Sequence, residues 1–192
     1  MAAAAPAAAP SAATIDARLQ ALLSALRAED PRFAICYKDQ TPLQRTIATL
    51  VRPFNDRYLH DYTTVLFGKV YFPSRAWRAR VGETAIYEIL RHEAVHLRDA
   101  RRFPVLFELT YLLLPLPLLC SGRAYWELRG YEESMRVRVE LGLDVGDAWI
   151  DWVVARFVGP DYLFMLVAPN WLRRRLRRTR EALGAATIAA VG

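Results

Sequence analysis

Cysteine is nearly absent from this chain of 192 residues: Cys36 and Cys120 stand apart, without a Cys-x-x-Cys spacing and without neighbouring histidines. That excludes a disulfide scaffold and cysteine ligation of a metal, and the apolar surroundings of both residues lead us to expect buried thiols. The glycine-rich loops with which nucleotide enzymes cradle phosphate are missing, and so are internal repeats. Residues 1–13 are rich in alanine and proline but carry no positive charge and no run of large apolar side chains. They do not read as a secretory signal and are expected to form a disordered lead-in. Histidine is scarce too, at positions 60, 92 and 96 alone.

What is present is enough apolar material for a core. With 54% hydrophobic residues, the stretch 14–192 is long enough for one domain and too short for a second full one. The net charge of +6 comes from arginine, much of it between Trp171 and Arg180. That run reads as the solvated side of an amphipathic helix, with an anionic surface as the alternative partner. No aromatic-studded basic surface accompanies it elsewhere, so no nucleic-acid partner is expected.

Periodicity places the elements. Thr14 is positioned to cap a helix with a stripe of Ile15, Leu19, Leu22, Leu23 and Leu26, ended by Asp30-Pro31. Phe33 to Tyr37 reads as a strand, and Thr41-Pro42 opens a helix with Leu43, Ile47, Leu50 and Val51 on one side. Tyr62–Phe67 and Val70–Pro73 form a hairpin about a Gly68-Lys69 loop, with the second strand at a sheet edge because of Pro73. Arg123–Leu141 is a helix closed by Gly142, Asp147 caps another that stops at Gly159-Pro160, and Asn170 begins the basic terminal helix. The expected fold is mainly α (α+β): a helical domain with a short β-hairpin or small sheet in front of its central helix.

Residues 103–120, FPVLFELTYLLLPLPLLC, reach the lower end of membrane-spanning length. Glu108, Pro115 and Pro117 argue against a span, since a charge at membrane depth costs roughly 2.5–3.5 kcal/mol. We expect a buried helix, or helix plus turn, folded over the site described next. Membrane association through 103–120 is the alternative, and the expected location is correspondingly cytoplasmic or membrane-associated.

That site is His92-Glu93-Ala94-Val95-His96, inside the Gly- and Pro-free run Thr84–Ala100. Histidines four apart on a helix project from one face and can share one Zn²⁺, and the glutamate between them can take a proton from a water that the metal activates. A hydrolytic zinc site takes three protein ligands and leaves a fourth position open. After His96 the chain lacks the glycine and third histidine of the metzincin pattern, and a glutamate from a later helix is the remaining economical choice. On a helical wheel Glu127 and Glu132 flank the apolar side formed by Ala124, Leu128, Tyr131 and Met135, and periodicity does not choose between them; Glu133 points further away, toward solvent. Tyr131, His60 and Tyr125 are candidate oxyanion donors, and Asp99 is either a partner of a ligand imidazole or an exposed carboxylate.

On these residues the chain resembles the zincin superfamily of zinc metallopeptidases, in its glutamate-ligand (gluzincin) branch, over roughly residues 60–135. In such families the third ligand opens a Glu-x-x-x-Asp or Glu-x-x-x-Tyr pattern, which Glu127-Leu128-Arg129-Gly130-Tyr131 fits, with Arg129 and Gly130 at positions where small and acidic residues are often seen. The resemblance implies a minimal zincin-like domain in which His92, His96 and Glu127 bind Zn²⁺, Glu93 is the general base, Tyr131 assists catalysis and the substrate is a peptide or protein. A metal-pinned protein without catalysis and a membrane-embedded metallopeptidase are the competing readings.

Overall fold

The computed structural model describes residues 10–53, 55–112, 117–159, 165 and 167–191. The fold is mainly helical with one small mixed sheet, as the periodicity leads one to expect. Helix α1 (Ala12–Glu29) starts earlier than expected because Ser11, not Thr14, is the cap: its hydroxyl accepts the Thr14 N–H at 3.3 Å. Ala12 and Ala13 are therefore helical, while residues 1–9 lie outside the described residues. Ile15, Leu19, Leu23 and Leu26 are buried in the first core, each burial contributing roughly 1.5–3 kcal/mol.

Strands β1 (Ala34–Tyr37), β2 (Thr64–Leu66) and β3 (Lys69–Phe72) make the sheet in the order β1-β3-β2. The strand expected at an edge is thus the central one: β3 pairs parallel with β1 and antiparallel with β2. Pro73 causes no conflict because it follows the strand, where its carbonyl accepts the Asp39 N–H. The hairpin loop also shifts by one residue. Phe67 (φ 50°) and Gly68 (φ 78°) both take positive φ, as a type I′ turn requires, and Lys69 already belongs to β3.

Between β1 and β2 come α2 (Pro42–Val51) and the short α3 (Tyr58–Asp61). The apolar side expected of α2 is not inside: Leu43 and Leu50 are 45% and 70% exposed, and Gln44 is the residue that is buried. After β3, α4 (Arg75–Val81) leads into α5 (Glu83–Arg102), whose Ile86, Leu90 and Ala94 are fully buried against α1 and the sheet.

The segment 103–120 is split between α6 (Leu106–Leu112) and the start of α7 (Pro117–Glu140). Among the described residues no helix is long and apolar enough to cross a membrane. Helix α7 runs antiparallel to α5, as the ion pairs Asp99–Arg129, Arg91–Glu133 and Glu88–Arg138 show. Gly142 closes α7 as expected. Helix α8 (Asp147–Val158) is entered through Gly146 rather than capped by Asp147, whose carboxylate instead binds Arg177 and Arg180 of α9 (Pro169–Val191). Arg173 and Arg175 likewise pair with Asp151 and Glu132, while Leu172 and Leu176 are buried beneath, so the basic run is an amphipathic helix whose charges tie α9 to its neighbours. Cys36 is a free, half-buried thiol rather than a buried one, and the Cys120 side chain lies outside the described residues, as does Pro160.

Position in the core should govern the cost of truncation. Leu90→Ala is expected to destabilise by about 2–5 kcal/mol, and Leu50→Ala, on the solvent side of α2, by no more than about 0.5 kcal/mol. Equal costs in urea unfolding would contradict the described packing.

Candidate metal centre

His92 and His96 point from one face of α5 toward α7, with their Nε2 atoms 3.1 Å apart. Glu127 meets them from α7: its Oε2 lies 3.5 Å from His92 Nε2 and 4.0 Å from His96 Nε2. His96 and Glu127 are buried and His92 is 12% exposed at the side chain, so the group opens to the outside on the His92 side. The register of α7 on α5 brings Glu127, and not Glu132, beside the two histidines. Glu132 faces α9, where it accepts from Arg175 at 2.8 Å and Thr179 at 3.1 Å. Glu133 is not solvated but bonded to Arg91 at 2.7 Å and to Arg136, with 13% of its side chain exposed.

Three residues to which the sequence assigned no role at the centre surround this group. Gly130 faces the His92 ring: a Cβ there would lie 2.5 Å from His92 Cε1 and Nε2, so the imidazole occupies the space that any side chain would need. Ser134 Oγ stands 3.2 Å from His92 Nδ1, on the far side of the ring from Glu127. Tyr111 of α6 donates to Glu127 Oε1 at 2.9 Å, and its ring lies against His96 and stacks on Phe107. Helix α6 thus covers the centre with Phe107 and Tyr111, but it is not the buried helix expected of this segment: Leu106 and Leu109 are 53% and 45% exposed, and residues 113–116 lie outside the described residues. Gly130 and Ser134 follow Glu127 at helical spacing on the side facing α5, a signal the wheel contained; Tyr111 carried no such signal.

The remaining candidates separate. Tyr131 packs edge-on against the His92 ring, with centroids 5.0 Å apart, and lines the same opening. His60 is exposed on α3, and Tyr125 is 55% exposed beside Trp126, so neither reaches the centre. Asp99 fits neither expectation: it is buried, and both its oxygens accept from Arg129 at 2.9 Å, while His96 Nδ1 has no hydrogen-bond partner.

The electrostatics favour the ligand-competent form at Glu127 and His96 but not at His92, whose imidazole is raised, against burial, by its contact with Glu127 and the charges of Glu93, Glu127 and Glu88. Burial alone would raise the Glu127 carboxyl, but its contacts with the His92 and His96 imidazoles and the nearby Arg123 guanidinium outweigh burial and lower it to about 2. Burial, reinforced by His92, pushes His96 well down, so it stays neutral. Glu93 is displaced the other way, up to about 7, chiefly by burial and with Glu127 adding, against the opposing charges of His92 and Lys38. Lys38 is itself fully buried; it donates to the Tyr58 carbonyl at 2.9 Å, and burial lowers its amine to about 7.

Three donor atoms converging from two helices fit a divalent cation. Ligands of a tetrahedral zinc stand roughly 3.3 Å apart, and the separations here bracket that. The buried Glu127 Oε2 has no hydrogen-bond donor, an unsatisfied carboxylate oxygen that a cation would satisfy. Together His92, His96 and Glu127 make a buried group able to hold a metal ion. Beside it a cleft of about 240 Å³ is lined by His92, Glu93, Tyr131, Ser134 and Trp152, with Asp61–Thr63 on its rim. No family model, curated protein or solved structure matches this chain.

Two substitutions test the surroundings of the centre. Gly130→Ala is expected to displace His92, destabilising by about 1–3 kcal/mol and abolishing zinc binding. Tyr111→Phe keeps the ring stack but removes the donor to Glu127, and is expected to weaken zinc binding roughly ten- to a hundredfold in a competition titration. Wild-type affinity in either variant would contradict this geometry.

Proposed function

We propose that the protein is a zinc-dependent peptidase, similar to the glutamate-ligand zincins, in which His92, His96 and Glu127 hold the metal. The observation that carries this reading is the convergence of His92, His96 and Glu127 beside an open cleft whose wall includes His92 and Glu93. A structural zinc needs neither a cleft nor a base beside it.

When bound, zinc polarises the scissile carbonyl and brings the pKa of a coordinated water toward about 7. Glu93 is suited to the proton traffic. Its Oε2 has no partner in the protein, and its affinity for protons near neutrality lets it accept one from the attacking water and return it to the leaving amine. Tyr131 lines the cleft beside His92 and is the donor we assign to the developing oxyanion. Tyr111 and Ser134 orient Glu127 and His92, and Gly130 leaves room for the imidazole. The substrate class is a peptide or protein segment entering between Trp152 and the stretch 61–63.

The purified protein is expected to bind about one zinc per chain and to lose it on His92→Ala or His96→Ala, whereas Glu132→Gln leaves affinity unchanged. Glu93→Gln should keep both metal and fold and lower hydrolysis of a quenched-fluorescence peptide library by about a hundredfold or more. Absence of zinc binding in the wild type, or equal activity with Gln at position 93, overturns the proposal. Full metal retention with no hydrolysis by the wild type would favour a metal that only pins α5 to α7.

A further inference from the structure

The cleft beside the metal centre has the seam of α5 and α7 as its floor, with Ile89, His92 and Glu93 from one helix and Tyr131 from the other. Two indoles line it as well. Trp77 of α4 packs on the first core and stacks on Phe72, with centroids 5.9 Å apart. Trp152 of α8 is 48% exposed, although two neighbours fix its orientation: the Arg156 guanidinium lies over its ring at 4.2 Å, and Tyr131 meets it edge-on at 6.2 Å. The same Tyr131 meets the His92 ring edge-on at 5.0 Å, so a continuous line of rings, His92, Tyr131 and Trp152, leads from the metal donors into the cleft. A large ring held in place yet left half outside is a contact surface that still has apolar area to bury.

Size and charge narrow what this surface can take. A cleft of about 240 Å³ is smaller than the roughly 300–1,000 Å³ that encloses a drug-sized ligand, so it suits one large side chain with its stretch of backbone. Its charged groups are already engaged. Glu88 accepts from Arg138 at 3.1 Å, Asp61 accepts from Arg57 at 2.6 Å, and Arg156 is spread over the indole. A cationic side chain would meet Arg156 at the ring, and an anionic one would meet Asp61, Glu88 and Glu93. Charge of either sign is disfavoured, whereas an uncharged ring or branched aliphatic chain gains burial against Trp152.

We propose that Trp152 is the specificity-determining residue of the cleft, and that it receives an aromatic or large aliphatic side chain flanking the scissile bond of the peptide. Tyr131 and Arg156 are positioning residues for it, since they fix the indole without occupying the cleft side that the substrate needs. The inference rests on the peptidase reading for its substrate, but side-chain selection is measurable as binding, without hydrolysis.

Two measurements separate recognition from chemistry. In the Glu93→Gln protein incubated with zinc, titration calorimetry with capped tripeptides reads binding alone: Gly-Phe-Gly is expected to bind at least about tenfold more tightly than Gly-Ala-Gly, Gly-Lys-Gly or Gly-Asp-Gly. Adding Trp152→Ala should reduce that ratio to about threefold or less, while Trp152→Phe, which keeps a ring, retains most of it. In the wild type, kcat/KM for peptides with a phenylalanine or leucine beside the cleaved bond should exceed that for alanine by about tenfold, and Trp152→Ala should shrink the difference. Equal binding of the four tripeptides, tighter binding of a charged one, or a preference that survives Trp152→Ala would each overturn the proposal, even in a protein that hydrolyses peptides. Selective, Trp152-dependent binding by a protein that cleaves none of them would support Trp152 as the recognition residue and overturn the peptidase reading instead.

Discussion

The ring of His92, carried by α5, lies so close to α7 that position 130 has no room for a Cβ. This contact sets the register of the two helices, and the register decides everything polar between them. With His92 seated on Gly130, Ser134 meets its Nδ1 and Glu127 meets its Nε2. Asp99–Arg129 and Glu88–Arg138 then close the seam on either side. Asp99 is almost wholly buried, and a carboxylate in that position is tolerable because Arg129 satisfies both its oxygens. Removing one member of such a pair leaves an uncompensated charge, so the seam specifies its alignment more than it adds net stability.

Around this seam the two cores divide the work. One, formed by α1, the sheet and the inner face of α5, is apolar and fixes where α5 lies. The other joins α7, α8 and α9 and keeps Tyr131 against Met135, Phe157 and Leu172. Helix α6 belongs to neither: its Phe107 and Tyr111 cover His96, and with Trp126 they make a small aromatic cluster of their own. The centre is therefore closed from the α6 side and open toward His92, Glu93 and Trp152. A site closed on one side and open on the other suits a metal that must keep a position free for exchange.

Local patterns in the chain were legible and non-local ones were not. The His92–His96 pair and its helix depend on spacing within one turn, which the order of residues states directly. Glu127 and Glu132 are symmetric about the apolar side of α7, and only the packing of α7 between α5 and α9 separates them. The central place of β3 follows from its parallel pairing with β1, more than thirty residues away, which no feature of Val70–Pro73 encodes. The hairpin loop moved by one residue because Phe67 adopts positive φ, contrary to the preference of its side chain. Tyr111 was hidden in a segment whose bulk hydrophobicity obscured that Phe107 and Tyr111, one turn apart, form an inward face. The exposed Leu43 and Leu50 show the reverse error, an apolar side on α2 with nothing packed over it.

X-ray absorption at the zinc edge of the loaded protein tests the central claim most directly, because it reads the ligands rather than their consequences. Two imidazole nitrogens at about 2.0–2.1 Å, with oxygen at about 2.0–2.2 Å completing four-coordination, are expected for His92, His96, Glu127 and one exchangeable water. A spectrum without imidazole scattering, or one left unchanged by His92→Ala, would contradict a metal centre built on the seam between α5 and α7.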